Sequence, residues 1–194
     1  MNLRKNISKE EINAMPQVEF QGKIHIIQTE DETKEAFAYI TSQERVGIDS
    51  ETRPSFKKGK THKVSLLQIA LEEHCFLFRL NLIGLTRPLI ELLENPAITK
   101  IGVSLRDDFM LLRKLTTFTP QSCIDLQNSV GSFGIQDKSL QKIYAILFEK
   151  KISKAQRLSN WESEVLSDAQ QRYAATDAWA CLKIYDLLFQ NNPV

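Results

Sequence analysis

Hydrophobic positions along the chain follow two periods, and the switches between them divide it into elements. Residues 23–29 (KIHIIQT), 45–52 (RVGIDSET), 63–71 (KVSLLQIAL) and 75–80 (CFLFRL) alternate or run apolar over strand lengths and are rich in β-formers. Only a short polar turn, LEEHC, separates the last two, which predicts a hairpin and, with 45–52, a meander. Shorter strands are expected at 99–104 (TKIGVS) and 123–127 (CIDLQ). Three-and-four spacing predicts helices over 31–43, 85–96, 105–115 and 139–148, with Pro88 tolerated in a first turn. The longest helix is expected from about 168 to 190. Ser167 and Gln170 form a capping-box pattern at its start, and Asn191, Asn192 and Pro193 end it. Strands first, then strands alternating with helices, imply an α/β protein with a mixed sheet of about five main strands covered by helices. Residues 1–22 read as an N-terminal extension in which Ser8 and Glu11 could cap a short helix that Pro16 stops, with disorder as the plain alternative. Residues 23–194 read as a single domain, with no room for a further one after the last helix.

Composition narrows the picture little. The 194 residues are 42% apolar and 25% charged, ordinary for a globular domain, and the net charge of +1 gives no global electrostatic case for nucleic acid. Any positive surface must be local. Cys75, Cys123 and Cys181 lie far apart in apolar runs and read as reduced core residues. No run approaches the ~18 apolar residues of a membrane span, and the start, MNLRKNISKEEINAMP, lacks the apolar core of a signal peptide. The expectation is an intracellular, cytoplasmic protein with no membrane and no obligate protein partner.

The chemistry begins with one misplaced charge. The inward stripe of the last helix reads Tyr173, Asp177, Ala180, Cys181, Ile184, Leu187, Leu188. A carboxylate turned inward costs several kcal/mol unless something positive meets it. In RVGIDSET, Val46, Ile48 and Ser50 face one way while Asp49 and Glu51 face the other. Two acids on one side repel unless a cation lies between them, and magnesium or manganese favours such oxygen ligands; a solvated sheet edge is the plain alternative. A third acid follows TKIGVS. Asp108 leads at helical spacing to Leu111, Leu112 and Leu115, whereas Asp107 leads to Met110, Leu111 and Lys114, so Asp108 is the better inward candidate. Both acids also suit the positive end of a helix.

Together, Asp49 and Glu51 in IDSET, Asp108 in IGVSLRDD, and Tyr173 with Asp177 in YAATDA resemble the three motifs of the DEDD exonucleases, in the tyrosine subgroup. Within it the chain is similar to the branch of ribonuclease D and the Werner-syndrome exonuclease domain over about residues 23–190; SNW at 159–161 and Asp125 fit that branch as well. The resemblance implies a ribonuclease H-like fold with helices on both faces of the sheet. It also implies four acids, Asp49, Glu51, Asp108 and Asp177, holding two divalent ions, Mg2+ or Mn2+, that hydrolyse the last phosphodiester at a 3′ end. Tyr173, with an ordinary pKa near ~10, is a poor base at neutral pH and is assigned to orienting the attacking water.

Substrate contacts are expected from Thr52, directly after the acid pair, and from the cluster Lys57, Lys58, Lys60, His62 and Lys63, which could bind phosphates or simply be a solvated loop. Arg157, Asn160 and Trp161 lie before the last helix, where a guanidinium and a stacking aromatic could hold a single strand; Trp161 could equally be core. Three functions compete: an exonuclease acting on the 3′ end of single-stranded DNA or RNA, a non-catalytic nucleic-acid-binding module, and a hydrolase of short oligonucleotides.

Overall fold

A computed structural model describes residues 3–57, 59 and 61–190; Lys58, Lys60 and the expected stop at Asn191, Asn192 and Pro193 lie outside the described residues. In chain order the elements are α1 (Lys9–Ala14), β1 (Gln17–Val18), β2 (Lys23–Ile27), α2 (Glu30–Ile40), β3 (Arg45–Thr52), β4 (Val64–Ala70), β5 (His74–Phe78), α3 (Leu80–Ile83), α4 (Arg87–Glu94), β6 (Thr99–Gly102), α5 (Leu105–Leu112), β7 (Cys123–Asp125), α6 (Leu126–Ser129), α7 (Leu140–Phe148), β8 (Lys151–Ile152) and α8 (Asp168–Tyr185). A π-helical turn, Asp186–Gln190, prolongs α8.

The main sheet has six strands in the order β2-β5-β4-β3-β6-β7. β3, β4 and β5 form the expected antiparallel meander, and the other pairs are parallel, so β4 alone runs against the rest. All seven residues of β4 are buried. A strand covered on both faces reads as a continuous apolar run, which is why VSLLQIA barely alternates. On one face Val46, Ile48, Leu67, Ile69, Phe76 and Phe78 pack against the apolar sides of α2, α4 and α5. On the other, Leu66, Ala70, Cys75 and Leu77 meet Ala174, Ala175 and Ala178 of α8.

Both helix-start expectations hold. Ser8 with Glu11 and Ser167 with Gln170 close reciprocal capping boxes at α1 and α8. α8 is more enclosed than a single stripe: Ala174 through Ala178 are all buried, while Tyr173 and Leu187 are only partly so. The sheet covers one side of this helix, Phe20 and Trp161 pack at its start, and Ile143 and Tyr144 of α7 at its end. The segment before residue 23 is folded onto the body. Ile7, Ile12 and Phe20 are buried, the Ile7 amide donates to Asp137, and β1 pairs in parallel with β8. Cys75 and Cys181 are buried as expected, but Cys123 is exposed because β7 is the edge of the sheet. Among the described residues no helix is long and apolar enough to cross a membrane.

Candidate active site

Gly47, Asp49 and Glu51 alternate onto the face of β3 that α8 covers. A Cβ at Gly47 would lie 2.0 Å from the Ala178 carbonyl oxygen and 3.3 Å from the Leu182 Cβ. The missing side chain and the alanines of α8 let helix and strand approach that closely. This approach delivers Asp177 to the strand: carboxylate oxygens of Asp49, Glu51 and Asp177 lie within 4.8 Å of one another. The expected side-sharing of the acid pair and the inward position of Asp177 are both observed.

Asp108 arrives from the other side. α5 buries Leu105, Phe109 and Leu112 in the core beside Ile48, and Ser50 Oγ donates a 2.5 Å hydrogen bond to the Asp108 carboxylate. Asp107 is exposed, so the structure turns Asp108 rather than its neighbour toward β3. Asp125 fixes where this helix begins. Its carboxylate accepts from the Ser104 amide at 3.2 Å and from the Gln127 amide at 3.0 Å, and Ser104 is the left-handed residue, φ 64°, that starts α5.

Four acids gathered out of water repel one another. Burial first, then Asp108, Asp177 and Glu51, push the Asp49 carboxyl well above the usual range. Burial and the charges of Asp177 and Asp108 raise Glu51 to about 9. Asp177 is raised to about 7 by burial, against the opposing pull of Tyr173 and Lys154, and Asp108 to about 6, mainly by burial. The cation that the inward Asp177 called for is thus present only in part: Lys154 acts on Asp177 and Arg157 on Glu51. Burial and the nearby acids push the Tyr173 hydroxyl far up, so it stays protonated. Gln68, opposite Asp49 on β4, is buried with neither amide atom bonded to protein.

The expected substrate residues divide. Thr52 ends β3, where the pairing with β4 shifts register next to Glu51. Lys57 and Arg157 are exposed. Trp161 is 0% exposed and tilts against Tyr173 with ring centroids 6.0 Å apart. It is not a stacking platform but the support behind the tyrosine. The reason is Arg79, itself buried, whose guanidinium donates to the carbonyls of Ser163 and Glu164 and pins the SNW loop inward. Residues that sequence reasoning passed over are Ser50, Lys154 and Gly47; only Gly47 carried a signal, as an isolated glycine inside a strand.

Comparison with known proteins places this geometry. A family model described as 3′-5′ exonuclease matches residues 24–191. The mouse bifunctional 3′-5′ exonuclease/ATP-dependent helicase WRN is 35% identical over 152 residues, covering 74% of this chain and 11% of that protein. A 3′-5′ exonuclease of Arabidopsis thaliana is 32% identical over 149 residues, covering 74% of this chain and 52% of the relative. The chain thus spans about half the length of these relatives or less. The crystal structure of Escherichia coli RNase D shares the fold, with a TM-score of 0.78 at 22% identity over 87% of this chain and 44% of that one. Sequence and architecture agree that the chain belongs to the 3′-5′ exonuclease family, of the DEDD type.

Proposed function

We propose that the protein hydrolyses the terminal phosphodiester at the 3′ end of single-stranded DNA or RNA, with two divalent ions, Mg2+ or Mn2+, held by Asp49, Glu51, Asp108 and Asp177. The observation that carries this is the group of three carboxylates within 4.8 Å, with a fourth bonded to the next residue of the same strand. The donor set fits such ions: it is all oxygen, and its carboxyls are held above their usual range by burial and by one another's charge. When bound, divalent ions would neutralise the acids, lower the pKa of a water and stabilise both oxygens of an in-line displacement.

The chain's own residues do the rest. Asp49, with Glu51 and Asp177 within 4.8 Å and Asp108 bonded to the next residue of its strand, would be the acid shared by the ions. Glu51 and Asp177 would help hold one ion and Asp108 the other. Tyr173, held protonated, acts as a hydrogen-bonding group for the attacking water rather than as its base, and Trp161 behind it restricts where its ring can move. Arg157 and Lys154 set positive charge beside the acids, where a phosphate would sit. A non-catalytic module fits less well, since all four acids and the tyrosine are present and four of these five cluster at one strand. A fold relative, Trypanosoma brucei RNase D, is known in complex with RNA U12, which supports a single strand as substrate.

A time course on 5′-labelled single-stranded DNA and RNA of equal sequence, with magnesium, manganese or chelator, tests the proposal beside Asp49→Ala. The expected result is a ladder shortening one nucleotide at a time from the 3′ end, lost with chelator and with the substitution. Strand binding without a ladder would return the non-catalytic module.

A further inference from the structure

The face of β3 that carries the acids continues across the sheet onto β4, and there one polar side chain stands in an apolar setting. Gln68 lies directly opposite Asp49 on β3 and Leu77 on β5. Its neighbours on the same side of its own strand are Leu66 and Ala70, and Ala174, Ala175 and Ala178 of α8 pack over this patch. Gln68 is 0% exposed, and among the described residues neither its Oε1 nor its Nε2 has a hydrogen-bond partner. Arg79 and Lys100, buried to the same degree, both donate to backbone carbonyls. A buried amide left unpaired costs free energy that an apolar side chain of similar size would not, so Gln68 weakens the fold it is buried in.

The sheet register names its partner. Side chains directly opposite on antiparallel strands have Cβ atoms about 4.5–5.5 Å apart, a gap that a glutamine spans with a change of rotamer. Of the positions around Gln68, Asp49 and Leu77 are directly across, and Gly47, Glu51 and Cys75 lie on the diagonals. Asp49 is therefore the nearest polar side chain on the sheet. The amide suits that neighbour. Its NH2 group can donate to a carboxylate oxygen but brings no charge, so a bonded Asp49 keeps its full attraction for a cation. A lysine at the same position would take the cation's place.

We propose that Gln68 is a positioning residue for the metal site: its side-chain NH2 donates to the Asp49 carboxylate and fixes the orientation in which that carboxylate meets the divalent ions. This deepens the exonuclease reading above and rests on it. A hydrogen bond to a metal-binding carboxylate holds it ready to coordinate, and loss of such a bond weakens metal affinity about 10- to 100-fold. Gln68 touches neither ion nor substrate; it acts through Asp49.

Gln68→Met, which keeps the length of the side chain and removes both amide atoms, tests this without turnover. Wild type, Gln68→Met and Asp49→Asn are titrated with manganese in the absence of nucleic acid, free metal being read by its electron paramagnetic resonance signal, and each is melted in chelator. Gln68→Met should bind manganese about tenfold more weakly than wild type. It should melt in chelator at or above the wild-type temperature, since two unpaired polar atoms are gone. On 5′-labelled strand its kcat should fall at low manganese and return to within about twofold of wild type at saturating manganese, as mass action requires. Unchanged manganese affinity would overturn the proposal. So would a melting temperature in chelator several degrees below wild type. That result would make Gln68 a structural hydrogen-bonding group, its candidate partner being Trp161 Nε1, which is also buried without a partner among the described residues and packs in the same cluster as Leu66 and Ala70. A wild type that binds manganese no better than Asp49→Asn would instead remove the two-ion reading itself, so the two failures are distinguishable.

Discussion

On β3 the residues facing α5 and those facing α8 alternate, and the two sets live in different chemistry. Val46 and Ile48 are buried among Leu89, Leu92 and Leu105, a packed apolar face like any core. Gly47, Asp49 and Glu51 face α8, where a missing side chain brings the helix down and charged ones meet its Asp177. The first face lowers the free energy of the fold, whereas the second, without cations, raises it through repulsion and desolvation. One strand therefore anchors the site on one side and stores the site's unmet charge on the other. A rigid support under a destabilised cluster is what a metal-loaded site requires.

The sharpest way to break the comparison is to substitute once on each face. Asp49→Asn should lower kcat by roughly 10³-fold or more, while its melting temperature in chelator stays level or rises because an acid penalised by burial and by its neighbours is gone. Ile48→Ala should do the reverse, costing about 2–5 kcal/mol of stability and leaving kcat of the folded fraction near wild type. Steady-state kinetics beside thermal melts read both; equal damage to stability from the two substitutions would dissolve the distinction.

Tyr173→Phe probes the acid face without touching a carboxylate. If the hydroxyl orients the attacking water, kcat should fall on the order of 10²-fold with KM and metal affinity nearly unchanged, measured by single-turnover kinetics and manganese titration. Unchanged kinetics would leave the tyrosine as packing over Trp161.

A smaller effect concerns pH. Glu51 is raised to about 9, Asp177 to about 7 and Asp108 to about 6 in the folded state, above the ordinary carboxylate values that the unfolded chain has. Groups raised on folding bind protons in the native state, so their stabilisation is fully present below about pH 4 and is lost as pH climbs through about 6 to 9. In chelator, stability contributed by these acids should therefore decline from about pH 5 to about pH 8. Magnesium should raise the melting temperature more at the higher pH, where the site is ionised. An equal increment at both values would mean that the acids are not its site.

How much of this was legible in the sequence depended on the length of each signal. Strands of five or more residues with β-branched runs stood out, as did α8 with its capping box. β1 and β8, two residues each, are too short to leave a period, and so the docking of the first residues onto β8 went unseen. The acids were readable because parity on a strand and spacing on a helix are local rules. Trp161 was not, because its burial depends on Arg79, distant in sequence, reaching the carbonyls of the same loop. The basic run at 57–63 is legible by adjacency alone, whereas Lys9, Lys154 and Arg157 come to one cavity wall only in the folded chain.

The most direct measurement is the anomalous-scattering map of crystals soaked in manganese. Two peaks about 3.5 to 4 Å apart, one against Asp49, Glu51 and Asp177 and the other between Asp49 and Asp108, are the predicted result. No peak at these acids, with manganese ordered elsewhere on the protein, would contradict the account.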